Sequence, residues 1–176
     1  QVQAGLGGFF AGYVPGMDQR EYPAGTAKFL KKGSFIVFQM HYTPVETAQS
    51  DATEIGLYLM SGPPEQELKT GAAYSTVLSI PPGASDAPAA AEMEFARPVT
   101  IYELSPHMHY RGKRMRFEAV RPDGSTDTLL NVPAYDFAWQ AMYRFTEPRR
   151  YPAGTRIRVV GAFDNSVWNP FNPDPA

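Results

Sequence analysis

The chain has 176 residues, 43% of them hydrophobic, enough to build one globular domain or two small β-modules and too many for intrinsic disorder. Its 16 Lys and Arg nearly balance 18 Asp and Glu for a formal net charge of −2, and no stretch concentrates the basic residues, which argues against a phosphate-binding nucleic-acid surface. Cys is absent, which excludes disulfides, thiolate metal sites and thiol catalysis.

The 17 Pro, 15 Gly, 11 Phe and 10 Tyr suit short strands joined by tight turns, so an all-β chain is expected. No apolar run approaches the roughly 20 residues that span a bilayer. No signal-peptide pattern opens at Gln1, so any export signal is expected to have been removed or never present.

In chain order, Gly5 to Gly16 mixes small and aromatic residues without a period and reads as an ordered loop. A turn at Lys32-Gly33 leads into Ser34–Thr43, where Ile36, Phe38, Met40 and Tyr42 form one apolar strand face and His41 lies on the other. Thr53–Met60 reads as a second strand. The Gly- and Pro-containing stretch after it is the most linker-like in the chain, which divides it into a module at 1–62, a linker at 63–69 and a module at 70–176.

Ala72–Ile80 is expected as a strand, Pro81–Pro88 as a loop, and Val99–His109 as a long strand interrupted by Pro106. Met115–Val120 and Thr126–Leu130 flank Pro122-Asp123-Gly124 as a hairpin, because Pro presets φ and Gly supplies the positive φ of the turn. The string Tyr22-Pro23-Ala24-Gly25-Thr26 recurs as Tyr151-Pro152-Ala153-Gly154-Thr155. That echo fits either an ancestral duplication or the repeated use of one turn chemistry.

The chemistry-bearing segment is Ser105-Pro106-His107-Met108-His109-Tyr110-Arg111-Gly112-Lys113. Residues i and i+2 of an extended strand point the same way about 6.5–7 Å apart, so His107 and His109 can converge on one metal ion. Glu103 and Ser105 share their face, while Tyr102, Leu104, Met108 and Tyr110 share the other. The same spacing also fits a solvated polar edge, and His41 alone fits a hydrogen-bonded structural residue. Glu103 fits either a partner that orients an imidazole or a solvated charge. Imidazole donors without thiolates or clustered carboxylates would select copper or zinc over magnesium or calcium.

Several landmarks fall in an informative order: Phe38-Gln39-Met40-His41-Tyr42, Leu57-Tyr58-Leu59, Leu78-Ser79-Ile80-Pro81-Pro82-Gly83, His107-Met108-His109 with Gly112-Lys113, and Phe163-Asp164-Asn165-Ser166. Together they resemble the copper type II, ascorbate-dependent monooxygenases, the family of peptidylglycine α-hydroxylating and dopamine β-monooxygenases. Pro106 to Lys113 and Asn165 to Pro175 look closest to its bacterial members.

The resemblance implies antiparallel jelly-roll β-sandwich modules, the end of a first and most of a second, each holding one copper. By position it implies that His41 belongs to the first, electron-supplying copper. His107 and His109 would bind the second, where oxygen binds and a substrate C–H bond is hydroxylated, with ascorbate as reductant. It further implies a secreted or periplasmic setting and a small-molecule or peptide substrate.

Departures accompany the matches. The family's first copper takes two more histidines from earlier in its domain, and no His precedes His41. The second copper's methionine lies beyond the segment ending at Pro175. The peptide-hydroxylating enzyme holds a substrate carboxylate with an arginine at the position occupied here by Ser105. The rival expectation is a non-catalytic β-sandwich interaction or copper-binding module that retains the fold.

Overall fold

A computed structural model describes residues 9–14, 17, 19–75 and 77–174 of the chain. Among them the chain is all-β, with eight strands and no helix. The strands are β1 (Thr26–Ala27), β2 (Gln66–Glu67), β3 (Ala87–Glu94), β4 (Val99–Leu104), β5 (Gly112–Val120), β6 (Thr126–Val132), β7 (Tyr143–Tyr151) and β8 (Arg156–Phe163). The expected loop at the start falls partly on residues 5–8, 15 and 16, outside the described residues; 9–14 form no regular element.

The chain divides into two compact units, Asp18–Thr70 and Gly71–Ala176, the latter grouped with Gln1–Met17. In the first, β1 and β2 pair in parallel over two residues. The Gly25 carbonyl accepts from the Glu65 and Gln66 amides at 2.9 and 3.3 Å, and Leu68 N–H donates to the Ala27 carbonyl at 2.8 Å. Neither Ser34–Thr43 nor Thr53–Met60 is a strand, a correction to the alternation read from the sequence. The residues expected on the apolar face of the first stay open to solvent, Phe38 and Tyr42 being 47% and 65% exposed.

In the second unit β3-β8-β5-β6 form an antiparallel four-stranded sheet, and β4-β7 an antiparallel two-stranded one. Ile157 and Val159 of β8 and Ala119 of β5 meet Tyr151 of β7 in a buried cluster. Met93, Met115, Phe117 and Leu129 from the larger sheet, with Val99 and Ile101 from the smaller, pack around it. Apolar faces of both sheets thus share one core, an arrangement consistent with a β-sandwich.

The outward face of the large sheet is charged. Glu118, itself buried, is held by Arg158 at 2.7 Å and Arg116 at 2.8 Å, and Arg156 pairs with Glu92 at 2.9 Å.

The expected hairpin is β5-β6. Its turn closes with Gly124 N–H to the Arg121 carbonyl at 2.9 Å and Arg121 N–H to the Ser125 carbonyl at 2.8 Å, and Gly124 has φ 85°. The echoed strings fold alike: Thr26 N–H bonds the Pro23 carbonyl at 3.0 Å and Thr155 N–H the Pro152 carbonyl at 3.3 Å, with Gly25 and Gly154 at φ 74° and 79°. Lys31–Ser34 and Pro81–Ala84 close the same way around Gly33 and Gly83. A glycine at the third turn position, where φ is positive, accounts for all four.

Candidate metal site

The strand expected over Val99–His109 stops at Leu104. Pro106 has no N–H to give a ladder and is fully buried. The chain beyond it stays alternating nonetheless: Ser105, His107 and His109 are exposed, while Pro106 and Met108 are buried. In β4 the odd residues Val99 and Ile101 pack on the core and the register shifts between Ile101 and Glu103, so the buried set has passed to even positions by Pro106, and both imidazoles emerge on one side. Their ring centroids lie 5.2 Å apart, edge to face.

What holds this segment is a set of bonds from elsewhere in the unit. The Tyr135 hydroxyl accepts from Met108 N–H at 3.0 Å and donates to the Met108 carbonyl at 2.8 Å. Burial pushes the Tyr135 phenol above its ordinary range, so it keeps the proton it donates. Gly112 N–H then closes a turn onto the His109 carbonyl at 2.7 Å. A Cβ at Gly112 would lie 2.6 Å from Met108 Cβ and 2.8 Å from the Tyr135 ring, so only glycine fits there.

Arg111 anchors the far side, with Nε donating to Asn165 Oδ1 and Nη2 to the Asp174 carbonyl, each at 2.6 Å. Two segments singled out in the sequence, 105–113 and 163–174, are thus bonded to each other.

The loop between β6 and β7 supplies the remaining neighbours. Gln140 Oε1 lies 2.7 Å from His107 Nδ1. Phe137 stands edge-on to His109, with centroids 6.4 Å apart, and packs on Tyr110 at 4.4 Å. Glu103 pairs with Arg144 at 3.7 Å.

Met108 turns inward, 4% exposed, and Met115 packs on the core, so neither lies on the exposed side shared by the imidazoles. His41 lies in the Asp18–Thr70 unit and is exposed. Two open clefts, about 560 and 630 Å³, are lined by other residues, the first by Arg121, Asp127, Arg149 and Tyr151 among others.

Two adjacent exposed imidazoles on a braced backbone fit a borderline transition metal, copper or zinc, better than a hard cation that wants oxygen donors. Among the described residues, no group of three or more His, Cys, Asp or Glu comes together in metal-holding geometry, and no helix is long and apolar enough to cross a membrane. Comparison with known proteins finds no matching family model, no matching curated protein and no matching solved structure.

Proposed function

We propose that this chain is a copper-binding, monooxygenase-like protein of jelly-roll type, working outside the cytoplasm, in a secreted or periplasmic setting. His107 and His109 would hold one copper, and His41 would contribute to a second. The observation that carries the reading is the pair of imidazole rings 5.2 Å apart on the exposed side of a segment whose intervening Met108 is buried.

The chemistry supplied by copper held there is one-electron redox and oxygen activation, which in a complete enzyme hydroxylates a C–H bond at the expense of ascorbate. The chain's own part is to present two neutral imidazoles and to fix their backbone through Tyr135, Gly112 and Arg111. A second reading is a copper-binding module without turnover; paired histidines upstream of His41 and a methionine downstream of Pro175 in the parent protein would favour the enzyme.

Calorimetric titration with Cu(II) is expected to show one dominant site that disappears in the His107→Ala, His109→Ala double variant. Binding should weaken on acidification, because protons compete for the imidazole lone pairs. Undiminished copper binding by the double variant would remove the assignment. Ascorbate-dependent oxygen uptake by the copper-loaded chain, lost on replacing His107, would decide for the enzyme over the module.

A further inference from the structure

We propose that Gln140 is a positioning residue that locks the neutral His107 ring in its Nδ1–H tautomer and leaves Nε2 as the metal-donor atom. The inference rests on the metal-site reading above.

The argument begins with the orientation of an amide. Gln140 Nε2 donates to the Phe137 carbonyl at 3.0 Å, and a carbonyl only accepts, so the NH₂ end of the amide faces Phe137. The oxygen end therefore faces His107, 2.7 Å from Nδ1. Amide oxygen has no proton to give, so Nδ1 must carry it. In the neutral ring the other nitrogen, Nε2, then holds the lone pair. An imidazole in water favours the opposite tautomer, with the proton on Nε2, which would place the donor lone pair against the loop.

Gln140 is not a side chain sampling solvent. It is half-buried and ends a short fixed turn in which Trp139 N–H bonds the Asp136 carbonyl at 3.0 Å and Ala138 N–H bonds Asp136 Oδ1 at 2.8 Å. Phe137, in the same turn, packs against both Tyr110 and the edge of His109. One loop thus touches both imidazoles: an amide sets the proton of the first and an aromatic ring borders the second. Partners that orient ligand imidazoles in this way typically change metal affinity by 10–100-fold when lost.

The test uses the metal-free full chain labelled with ¹⁵N, with ring-nitrogen shifts and couplings read at mildly alkaline pH. The wild-type His107 signal is expected to be dominated by the Nδ1–H form. Gln140→Leu should move it toward Nε2–H, and Gln140→Glu, which still offers an acceptor oxygen, should retain Nδ1–H.

Zn(II) titration of the same proteins is expected to show affinity reduced about tenfold or more in Gln140→Leu and preserved in Gln140→Glu. A wild-type His107 in the Nε2–H form, or one unmoved by Gln140→Leu, overturns the proposal. So does an altered tautomer with unchanged zinc affinity. If the wild-type chain bound neither zinc nor copper, the metal-site reading would fall, and the nitrogen spectra would still decide whether Gln140 sets the tautomer.

Discussion

Tyr135 carries more of the site than either histidine does, because its hydroxyl meets both backbone groups of the buried Met108. Tyr135→Phe leaves that N–H and that carbonyl without a partner in a place water reaches poorly. The expected cost is about 1–3 kcal/mol of stability, read by denaturant unfolding, together with weaker metal binding at His107 and His109. Unfolding that matches the parent would show that the segment is held by other contacts.

Thr155 is the opposite case. Its equivalent in the repeated turn, Thr26, bonds the Pro23 carbonyl through Oγ1 at 2.6 Å, whereas the Thr155 hydroxyl is fully buried with no partner among the described residues. Thr155→Val removes that orphan at constant shape and should be neutral or raise stability by up to about 1 kcal/mol; a clear loss would reveal a hidden partner.

The pairing of His107 with His109 was legible in the sequence because i, i+2 alternation is local. Gln140 and Tyr135 were not, since they lie 33 and 27 positions from their partners and meet them only through the packed fold.

At the level of elements, the sequence is most informative where a turn enforces what alternation suggests. Arg121–Ser125 carries its own closing bonds, and the β5-β6 hairpin follows. Ser34–Thr43 and Thr53–Met60 alternate as well as β5 does, yet alternation records only which residues would be buried if a partner sheet were present.

The converse error is β3, whose Ala-rich sequence with Pro88 lacks β-branched residues; it is held in place by eight register pairs to β8. Pro88 is tolerated because β3 is the edge of its sheet. Likewise β7 hides behind Pro148, where the β4–β7 register slips between Ile101 and Glu103.

Hydrogen exchange separates these cases. The amides of β5 and β8, flanked by strands on both sides, should be the slowest in the chain. Those of residues 35–60, which make no backbone–backbone bonds among the described residues, should exchange within the first time points. Strong protection across 35–43 would mean that a partner strand forms in solution.

For the molecule as a whole, the dominant electrostatic feature is a set of aspartates tied to donors at the ends of strands. Arg114 and Lys113 hold Asp86 far below the usual carboxylate range. Arg121, helped by the Tyr151 hydroxyl, lowers Asp127. Ser125 lowers Asp123, and Ser166 lowers Asp164, each through its hydroxyl and its amide.

These bonds fasten the entry to β3 onto β5, the hairpin onto β7, the hairpin turn onto itself and the exit of β8 onto the loop beside Arg111. The sign follows from linkage: a carboxylate whose pKa is depressed in the folded state binds fewer protons there than in the unfolded chain. Its stabilisation is fully present above the unfolded value near about 3.9 and is lost as pH falls through the folded value.

The Asp86 and Asp123 pairs are exposed and individually weak, the Asp127 pair is half-buried and the Ser166 partner of Asp164 is buried, but all four shift the same way. Protonating the 18 Asp and Glu also leaves 16 Lys and Arg and three His unopposed, so self-repulsion adds to the effect. The thermal midpoint is therefore expected to change little between pH 7 and 5 and to fall steeply below about pH 4. Asp86→Asn should lower the midpoint at pH 7 and flatten the acid limb. A midpoint that holds or rises between pH 4 and 2.5 would mean that these bonds contribute nothing to the folded state.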